Sequence, residues 1–103
     1  MKLIDEDLLA AFRSKRRCEL CAQPADGPLD PHHVMAKGMG GASRVDVREN
    51  LLALCRECHC NVHAGNIHRD VCWLIVALRE GLTVDECRAR VMRVLNAPKG
   101  TEL

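Results

Sequence analysis

The chain has 103 residues and a formal net charge of +1, and it is 28% charged and 48% apolar. These values exclude an intrinsically disordered chain and a collagen-like repeat, and they predict a single domain over 1–103, since two cores in so short a chain would each be undersized. Because no apolar run nears the roughly 20 residues of a membrane span, and acidic residues at 5–7 disfavour a signal peptide, we expect a cytoplasmic protein with no membrane partner.

The N-terminal part, residues 1–17, is predicted to form one helix over 5–15. Asp5 suits the N-cap position, and Leu8, Leu9 and Phe12 lie on one face. Residues 13–17 then hold the densest cluster of Arg and Lys in the sequence. The sequence leaves two interpretations of this cluster open: a solvated helix end that complements the helix dipole, or a contact to a phosphate.

The central part, residues 18–65, is predicted to contain two short strands and a helix. Glycine and proline at 27, 28 and 31 disfavour a helix, so 29–34 is predicted as one strand and 51–55 as the second. Glycines at 38, 40 and 41 mark a loop between the strands. A helix that begins near Arg56 would carry one cysteine and two histidines: Cys58, His59 and His63.

The C-terminal part, residues 66–103, is predicted to be a helical extension with two helices. The first has an apolar stripe at helical spacing and a C-cap at Gly81; the stripe is Ile67, Val71, Leu74, Ile75 and Leu78. Thr83 and Glu86 form a capping box for the second, which ends before Pro98 and has the apolar side Val84, Cys87, Val91, Val94 and Leu95. We interpret both stripes as core packing or a partner interface. The first helix is apolar nearly all round, so we expect it to be central or buried against another subunit.

Seven cysteines and five histidines stand beside one Phe, one Trp and no Tyr. A small core without aromatic side chains needs another source of stability, and an odd number of cysteines without an export signal favours a metal over disulfides. Two Cys-x-x-Cys pairs each put two sulfur atoms on one tight turn, and together they predict a tetrahedral structural zinc site of Cys18, Cys21, Cys55 and Cys58. The alternative is two redox pairs or reduced structural thiols. The surplus cysteines are expected to be buried as small apolar residues: Cys60, Cys72 and Cys87.

Four of the five histidines lie in the same central part. Helical i, i+4 spacing puts His59 and His63 on one face, where they can share a metal ion, and His32 can complete a set of three ligands with open positions for water and a phosphate oxygen. Neighbouring strand residues point to opposite sides, so His33 is left free to act as a base. Asp30 lies on the His32 side and can hydrogen-bond the second ring nitrogen of a ligand. The fifth histidine, at position 68, is expected at the surface or at a helix start.

The order of these residues resembles the zinc-stapled form of the HNH endonuclease family, of bacterial or phage character. The resemblance spans 18–63 and consists of a Cys-x-x-Cys pair, Asp30-Pro31-His32-His33-Val34, Gly40-Gly41, the run from Asn50 to His59 with the second pair, and His63. It implies a small α+β fold, in which a ββα-metal hairpin and helix of treble-clef type with a structural four-cysteine zinc site is flanked by an N-terminal helix and two C-terminal helices. It also implies metal-dependent hydrolysis of phosphodiester bonds in DNA, which leaves 5′-phosphate and 3′-hydroxyl ends.

The resemblance further assigns roles to single residues. His33 would be the general base and Asn50 would orient it, while His32 and His59 would bind one metal ion with His63 as a third ligand. The ion would neutralise charge on the phosphate and stabilise the departing 3′ oxygen. Many family members have an aspartate at the position of His32, and an imidazole there favours Mn²⁺, Ni²⁺ or Zn²⁺ over Mg²⁺.

DNA is the partner that the resemblance implies. Basic residues near the proposed site in sequence can contact phosphates, namely Lys37, Arg44, Arg48 and Arg56. The scarcity of aromatic residues leaves no stacking platform, so we expect backbone-directed, salt-sensitive binding with weak sequence preference. One alternative is a noncatalytic zinc-finger-like module that binds DNA or a protein and whose histidines only form internal hydrogen bonds. Others are a homodimer, or a subunit of a phage or recombination complex that cuts only with its partners, in the host cytoplasm if a phage encodes it.

Overall fold

The structure is a computed structural model that describes residues 3–35 and 44–96. In chain order its elements are α1 (Glu6–Arg13), β1 (Asp30–His33), a 3-10 turn (Arg48–Asn50), β2 (Leu51–Leu54), α2 (Arg56–His63), α3 (Arg69–Glu80) and α4 (Val84–Leu95). Every helix and strand that the sequence predicts is present, with ends that differ by one or two residues. Lys37, the loop glycines at 38, 40 and 41, and Pro98 lie outside the described residues.

The small α+β fold predicted from the sequence is confirmed. Over the described residues, β1 and β2 form a two-stranded antiparallel sheet, in which His32 pairs with Leu52 and His33 with Leu51. Helices α1, α2 and α3 all contact this sheet, while α4 packs on α3 and the 3-10 turn. All four side chains of β2 are buried because helices cover both of its faces. This hairpin followed by α2 is consistent with a ββα-metal arrangement.

Helix α1 and the segment before it are joined to the chain at 44–46. The Asp5 side chain caps α1 by accepting the Leu8 backbone N–H at 3.0 Å, as the sequence predicts. Ahead of the cap, the Leu3 N–H donates to the Arg44 carbonyl oxygen at 2.8 Å, and the Asp46 N–H donates to the Leu3 carbonyl oxygen at 2.7 Å. The segment that carries Asp46 is therefore held by backbone hydrogen bonds from a distant part of the chain.

Helix α3 buries a different face from the one that its most regular stripe predicts. Its buried residues are Cys72, Trp73, Val76 and Ala77, whereas Val71, Leu74 and Leu78 are 40%, 55% and 82% exposed. Core packing is therefore the wrong interpretation for these three residues. On a helix that is apolar nearly all round, periodicity cannot choose the inner face, and here the side that carries the large Trp73 ring packs inwards.

The signals at the ends of the two C-terminal helices are confirmed. Gly81 adopts the left-handed conformation with φ of 69° after α3, and Thr83 and Glu86 form the capping box of α4. The inner side of α4 is Cys87, Val91 and Val94, as predicted. None of the helices in the described ranges combines the length and the apolar character that crossing a membrane requires.

Candidate active site

The four cysteines of the two Cys-x-x-Cys pairs form one cluster. Their ligand atoms all lie within 4.8 Å of one another, with 3.9 Å between the sulfur atoms of Cys21 and Cys55. Burial raises the pKa of Cys18, but backbone N–H groups of Cys21, Cys55 and Leu20 outweigh this effect and lower it to about 7. Since the thiolate is the metal-binding form, the cluster fits the predicted tetrahedral zinc site. Of the surplus cysteines, Cys72 and Cys87 are buried as predicted, and Cys60 is exposed, against the prediction.

The two histidines of β1 point in different directions. His32 is 8% exposed and faces α2, where its ring meets His59 and His63 at centroid distances of 5.2 and 5.3 Å. The ring of His33 instead meets a carboxylate of the segment that leads to β2. The alternation of side chains along a strand produces this division, as the sequence predicts.

His32, His59 and His63 converge. One ring nitrogen from each lies within 4.8 Å of the others, and the Nε2 atoms of His59 and His63 are 3.0 Å apart. Burial, and then the positive charges that His59 and His63 can carry, lower the pKa of His32 to about 4. His32 is therefore neutral near pH 7, which is the state in which an imidazole binds a metal.

Asp30 lies against this trio in the position expected from the sequence. Its Oδ2 is 3.0 Å from His59 Nδ1, and its Oδ1 accepts from Arg56 Nη2 at 3.3 Å. An ionised carboxylate only accepts hydrogen bonds, so His59 carries its proton on Nδ1 and keeps a lone pair on Nε2. His63 must then donate through its own Nε2 at the 3.0 Å contact. A cation at the centre of the trio would take the place of that proton, so the donor set fits a metal ion.

The side chain that meets His33 is Asp46. Its Oδ1 lies 2.6 Å from His33 Nε2 and accepts from Arg44 Nε at 2.9 Å, while its Oδ2 accepts from Arg44 Nη2 at 2.8 Å and from the Asp5 N–H at 2.9 Å. Burial raises the pKa of Asp46, but Arg44, the Asp5 N–H and His33 together lower it to about 2. The sequence did not point to Asp46; the available signal was a carboxylate between Val45 and Val47, an apolar setting unusual for an exposed Asp.

The Asn50 side chain, which is predicted to orient His33, makes its hydrogen bonds to the backbone within the described residues and none to the His33 ring. Its side chain is fully buried; Oδ1 accepts from the Met35 N–H at 2.8 Å, and Nδ2 donates to the carbonyl oxygens of Met35 and Val45 at 2.9 and 3.0 Å. These bonds join the backbone that follows β1 to the backbone beside Asp46. Asn50 is thus linked to His33 through the backbone rather than by a direct hydrogen bond.

A comparison of the sequence with known protein families matches the part of the chain that carries this site. Residues 18–65 match the HNH endonuclease family model. That segment holds the four zinc-site cysteines, the histidine trio, His33 and Asn50, so the resemblance read from the sequence is confirmed over it. The match covers under half of the chain and supports a nuclease class for that segment. No curated protein and no solved structure matches the chain.

A cleft opens beside the histidines of the HNH segment. It has a volume of about 350 Å³, and its lining includes His32, His33 and His63 together with His68 and Arg69. His68 caps α3, as expected for a helix-start residue, and Arg69 is the first residue of that helix. A second cavity of about 390 Å³ continues from these two residues past Trp73 to Arg88. Arg69 and Arg88 lie outside the HNH match, and nothing in the sequence linked them to the histidines.

The basic residues proposed as DNA contacts differ in how far they are already bound to carboxylates of the protein. Arg44 makes two hydrogen bonds to Asp46, and Arg48 makes two to Glu80. A phosphate would have to compete with these carboxylates. Arg56 is the most exposed of the three, with 80% of its side chain accessible beside Asp30. Lys37 lies outside the described residues.

Proposed function

We propose that the chain is a metal-dependent HNH endonuclease that hydrolyses phosphodiester bonds in DNA. His33 would act as the general base, and His32, His59 and His63 would hold one divalent ion. The observation that carries the proposal is the convergence of three imidazoles within 4.8 Å beside an imidazole that faces away from them. The cleft that joins them to Arg69 has room for a phosphate group next to both.

The trio fits a divalent ion because Asp30 leaves His59 with a lone pair on Nε2, and His32 stays neutral near pH 7. When bound there, the ion would supply Lewis-acid stabilisation of the charge on the phosphate and on the departing 3′ oxygen. Nitrogen ligands favour Mn²⁺, Ni²⁺ and Zn²⁺ over Mg²⁺. A second zinc ion, held by the four cysteines, would be structural.

Side chains of the protein would supply the general base and the contacts to the DNA phosphates. His33 would take the proton of the water that attacks phosphorus, and Arg69, which also lines the cleft, would bind the charged phosphate oxygens. Arg88 in the adjoining cavity, and Arg56 beside Asp30, would contact the backbone on either side. Binding of this kind contacts phosphates rather than bases, so the affinity for DNA should fall steeply as the salt concentration rises. A cytoplasmic location, and assembly as a homodimer or within a phage or recombination complex, remain predictions.

The test is cleavage of supercoiled plasmid by the purified zinc-loaded chain with Mn²⁺, Ni²⁺, Zn²⁺ or Mg²⁺ added in turn. We expect nicking with at least one of these ions, and its loss in His33→Ala with zinc content and circular dichroism unchanged. Cys60→Ser, an exposed change on α2 between the metal-binding positions, is the control and should cut normally. One tightly held zinc per chain, no second ion bound and no cutting with any metal would favour the noncatalytic zinc-finger-like module instead.

A further inference from the structure

The fully buried Asp46 and the partly exposed His33 form a pair that the proposed reaction does not yet use. We propose that Asp46 is a positioning residue for His33: it holds the imidazole proton on Nε2, so that Nδ1 is left to accept the proton of the attacking water. This inference rests on the proposed function, because it matters for catalysis only if His33 is the base.

The tautomer follows from the hydrogen bonds around Asp46. Both of its oxygens are surrounded by donors: Arg44 Nε lies 2.9 Å from Oδ1, and Arg44 Nη2 and the Asp5 N–H lie 2.8 and 2.9 Å from Oδ2. The carboxylate is ionised and can only accept, so the 2.6 Å contact requires His33 Nε2 to donate. The contact is short for an N–H···O hydrogen bond, as expected when the acceptor is ionised. The neutral ring therefore has its lone pair on Nδ1, which makes no hydrogen bond within 3–35 and 44–96.

Asp46 is itself held in place. Its side chain is fully buried, and its backbone N–H donates to Leu3 at 2.7 Å. Arg44 donates hydrogen bonds to both carboxylate oxygens. The Asn50 amide donates to the carbonyl oxygen of the preceding residue, Val45, at 3.0 Å. The carboxylate cannot turn away from His33 without breaking several of these bonds. The ring orientation of His33 is thus set by a rigid neighbour rather than by its own rotamer preference.

The proton balance of the step is simple. A lone pair of the water oxygen forms the bond to phosphorus, the bond from phosphorus to the 3′ oxygen breaks with its electrons on that oxygen, and the water proton moves to His33 Nδ1. The Nε2 proton stays between His33 and Asp46, where the carboxylate stabilises the imidazolium. His33 then returns the proton to solvent, from which the 3′ oxygen takes one.

Replacing Asp46 with asparagine should reverse the tautomer. The amide offers one acceptor and one NH₂ group. Two obligatory donors, Arg44 Nη2 and the Asp5 N–H, face the Oδ2 side. The Oδ1 side has one obligatory donor, Arg44 Nε, together with His33, the neighbour that can become an acceptor, so the amide oxygen keeps more hydrogen bonds on the Oδ2 side. The NH₂ group should therefore face His33 and donate to Nε2. The ring proton would move to Nδ1 and remove the lone pair that the reaction needs, in a variant of nearly the same size and shape.

The experiment combines ring ¹⁵N chemical shifts with cleavage kinetics on the zinc-loaded full chain. For the wild type near pH 8 without DNA, we expect His33 to be protonated on Nε2 only. In Asp46→Asn we expect protonation on Nδ1, a fall in kcat of at least about 100-fold, and KM for plasmid within about 3-fold, because only the base is disabled. Binding of Mn²⁺ should be unchanged. Asp5→Ala is the matched control: it removes the α1 cap beside Asp46 but keeps the Asp5 N–H, so tautomer and kcat should stay at wild-type values.

The results separate the two proposals. A wild-type His33 protonated on Nδ1 overturns the role of Asp46, as does an Asp46→Asn variant with unchanged kcat or with a change in KM alone. If Asp46→Asn does not fold, the wild-type tautomer still decides whether Asp46 sets the ring. If the wild type cuts no DNA with any metal, the proposed function fails, while the ¹⁵N shifts still test the contact between Asp46 and His33.

Discussion

Replacing Arg79 with methionine tests how α3 stabilises the turn that carries Cys18 and Cys21. Arg79 Nη1 lies 3.0 and 2.8 Å from the two carboxylate oxygens of Glu19, the residue after Cys18, and also donates to the Leu51 carbonyl oxygen at 2.9 Å. The side chains of Arg79 and Glu19 are only 14% and 11% exposed. Glu19 in turn accepts the Ala53 N–H at 2.9 Å. One side chain of α3 thus joins the Cys18–Cys21 turn to β2.

The magnitude follows from this burial. Removing one member of a buried ion pair costs about 3–5 kcal/mol, because the other charge is left without its partner. Lys15 Nζ remains 3.9 Å from Glu19, and both side chains keep slight exposure, so we expect the free energy of unfolding to fall by about 2–4 kcal/mol. Methionine retains apolar contact with Phe12, over whose ring the guanidinium lies at 5.0 Å. For a chain of this size the melting temperature should drop by at least about 8 °C.

Urea unfolding of the zinc-loaded chain near neutral pH, followed by circular dichroism, measures this loss. Arg48→Met is the control: the Arg48 side chain is 51% exposed, and its partner Glu80 keeps a second arginine, since Arg79 Nε donates to it at 2.7 Å. Loss of Arg48 should therefore cost no more than about 1 kcal/mol. Zinc transfer to a chromogenic chelator should also be faster in Arg79→Met than in Arg48→Met. Equal losses of stability in the two variants, or a loss below about 1 kcal/mol in Arg79→Met, would refute the reasoning.

Three further predictions concern the HNH segment. Asn50→Ala leaves buried backbone groups unpaired and should lower the free energy of unfolding by about 2–4 kcal/mol in urea titrations, while the exposed change Asn66→Ala should stay within about 0.5 kcal/mol; similar values for both would contradict the contacts of Asn50. The pKa of His32 is about 4 in the folded chain against an ordinary 6.5, so between these values the unfolded chain binds a proton that the folded chain does not. The stabilisation that follows from this shift is complete above pH 6.5 and is lost as the pH falls towards 4. In His32→Gln, without added divalent ions, the urea midpoint should therefore fall less steeply over this pH range. A slope equal to that of the wild type would contradict the lowered pKa of His32. Cys21→Ser should lose bound zinc and the cooperative thermal transition, because metal binding is coupled to folding, whereas Cys60→Ser should retain both in calorimetry; a Cys21→Ser variant that keeps its zinc would exclude the four-cysteine site.

Most of the local structure could be predicted from the sequence because its causes are local. The cap at Asp5, the capping box at Thr83 and the left-handed Gly81 depend on residues within one helical turn. The i, i+4 spacing of His59 and His63 depends on helix geometry alone. Strand alternation likewise sends His32 and His33 to opposite sides wherever β1 lies in the fold.

The partners that are distant in sequence could not be predicted in this way. Asp46 reaches His33 across 13 positions, and Arg79 reaches Glu19 across 60, so each contact depends on the path of the chain. A periodic pattern does not record that path. The same limit applies to Asn50: its role in orienting His33 stays a prediction, whereas its hydrogen bonds to Met35 and Val45 are visible only in the folded chain.

The amino-acid sequence alone was enough to predict the candidate metal ligands of this protein: two cysteine pairs, each on one turn, and three histidines, two of which share a helix face. Tertiary packing decided which carboxylate meets His33 and which face of α3 is buried. The physical reason is that ligand spacing is a property of one element, whereas a buried ion pair or a helix interface requires two elements to be brought together by the whole core.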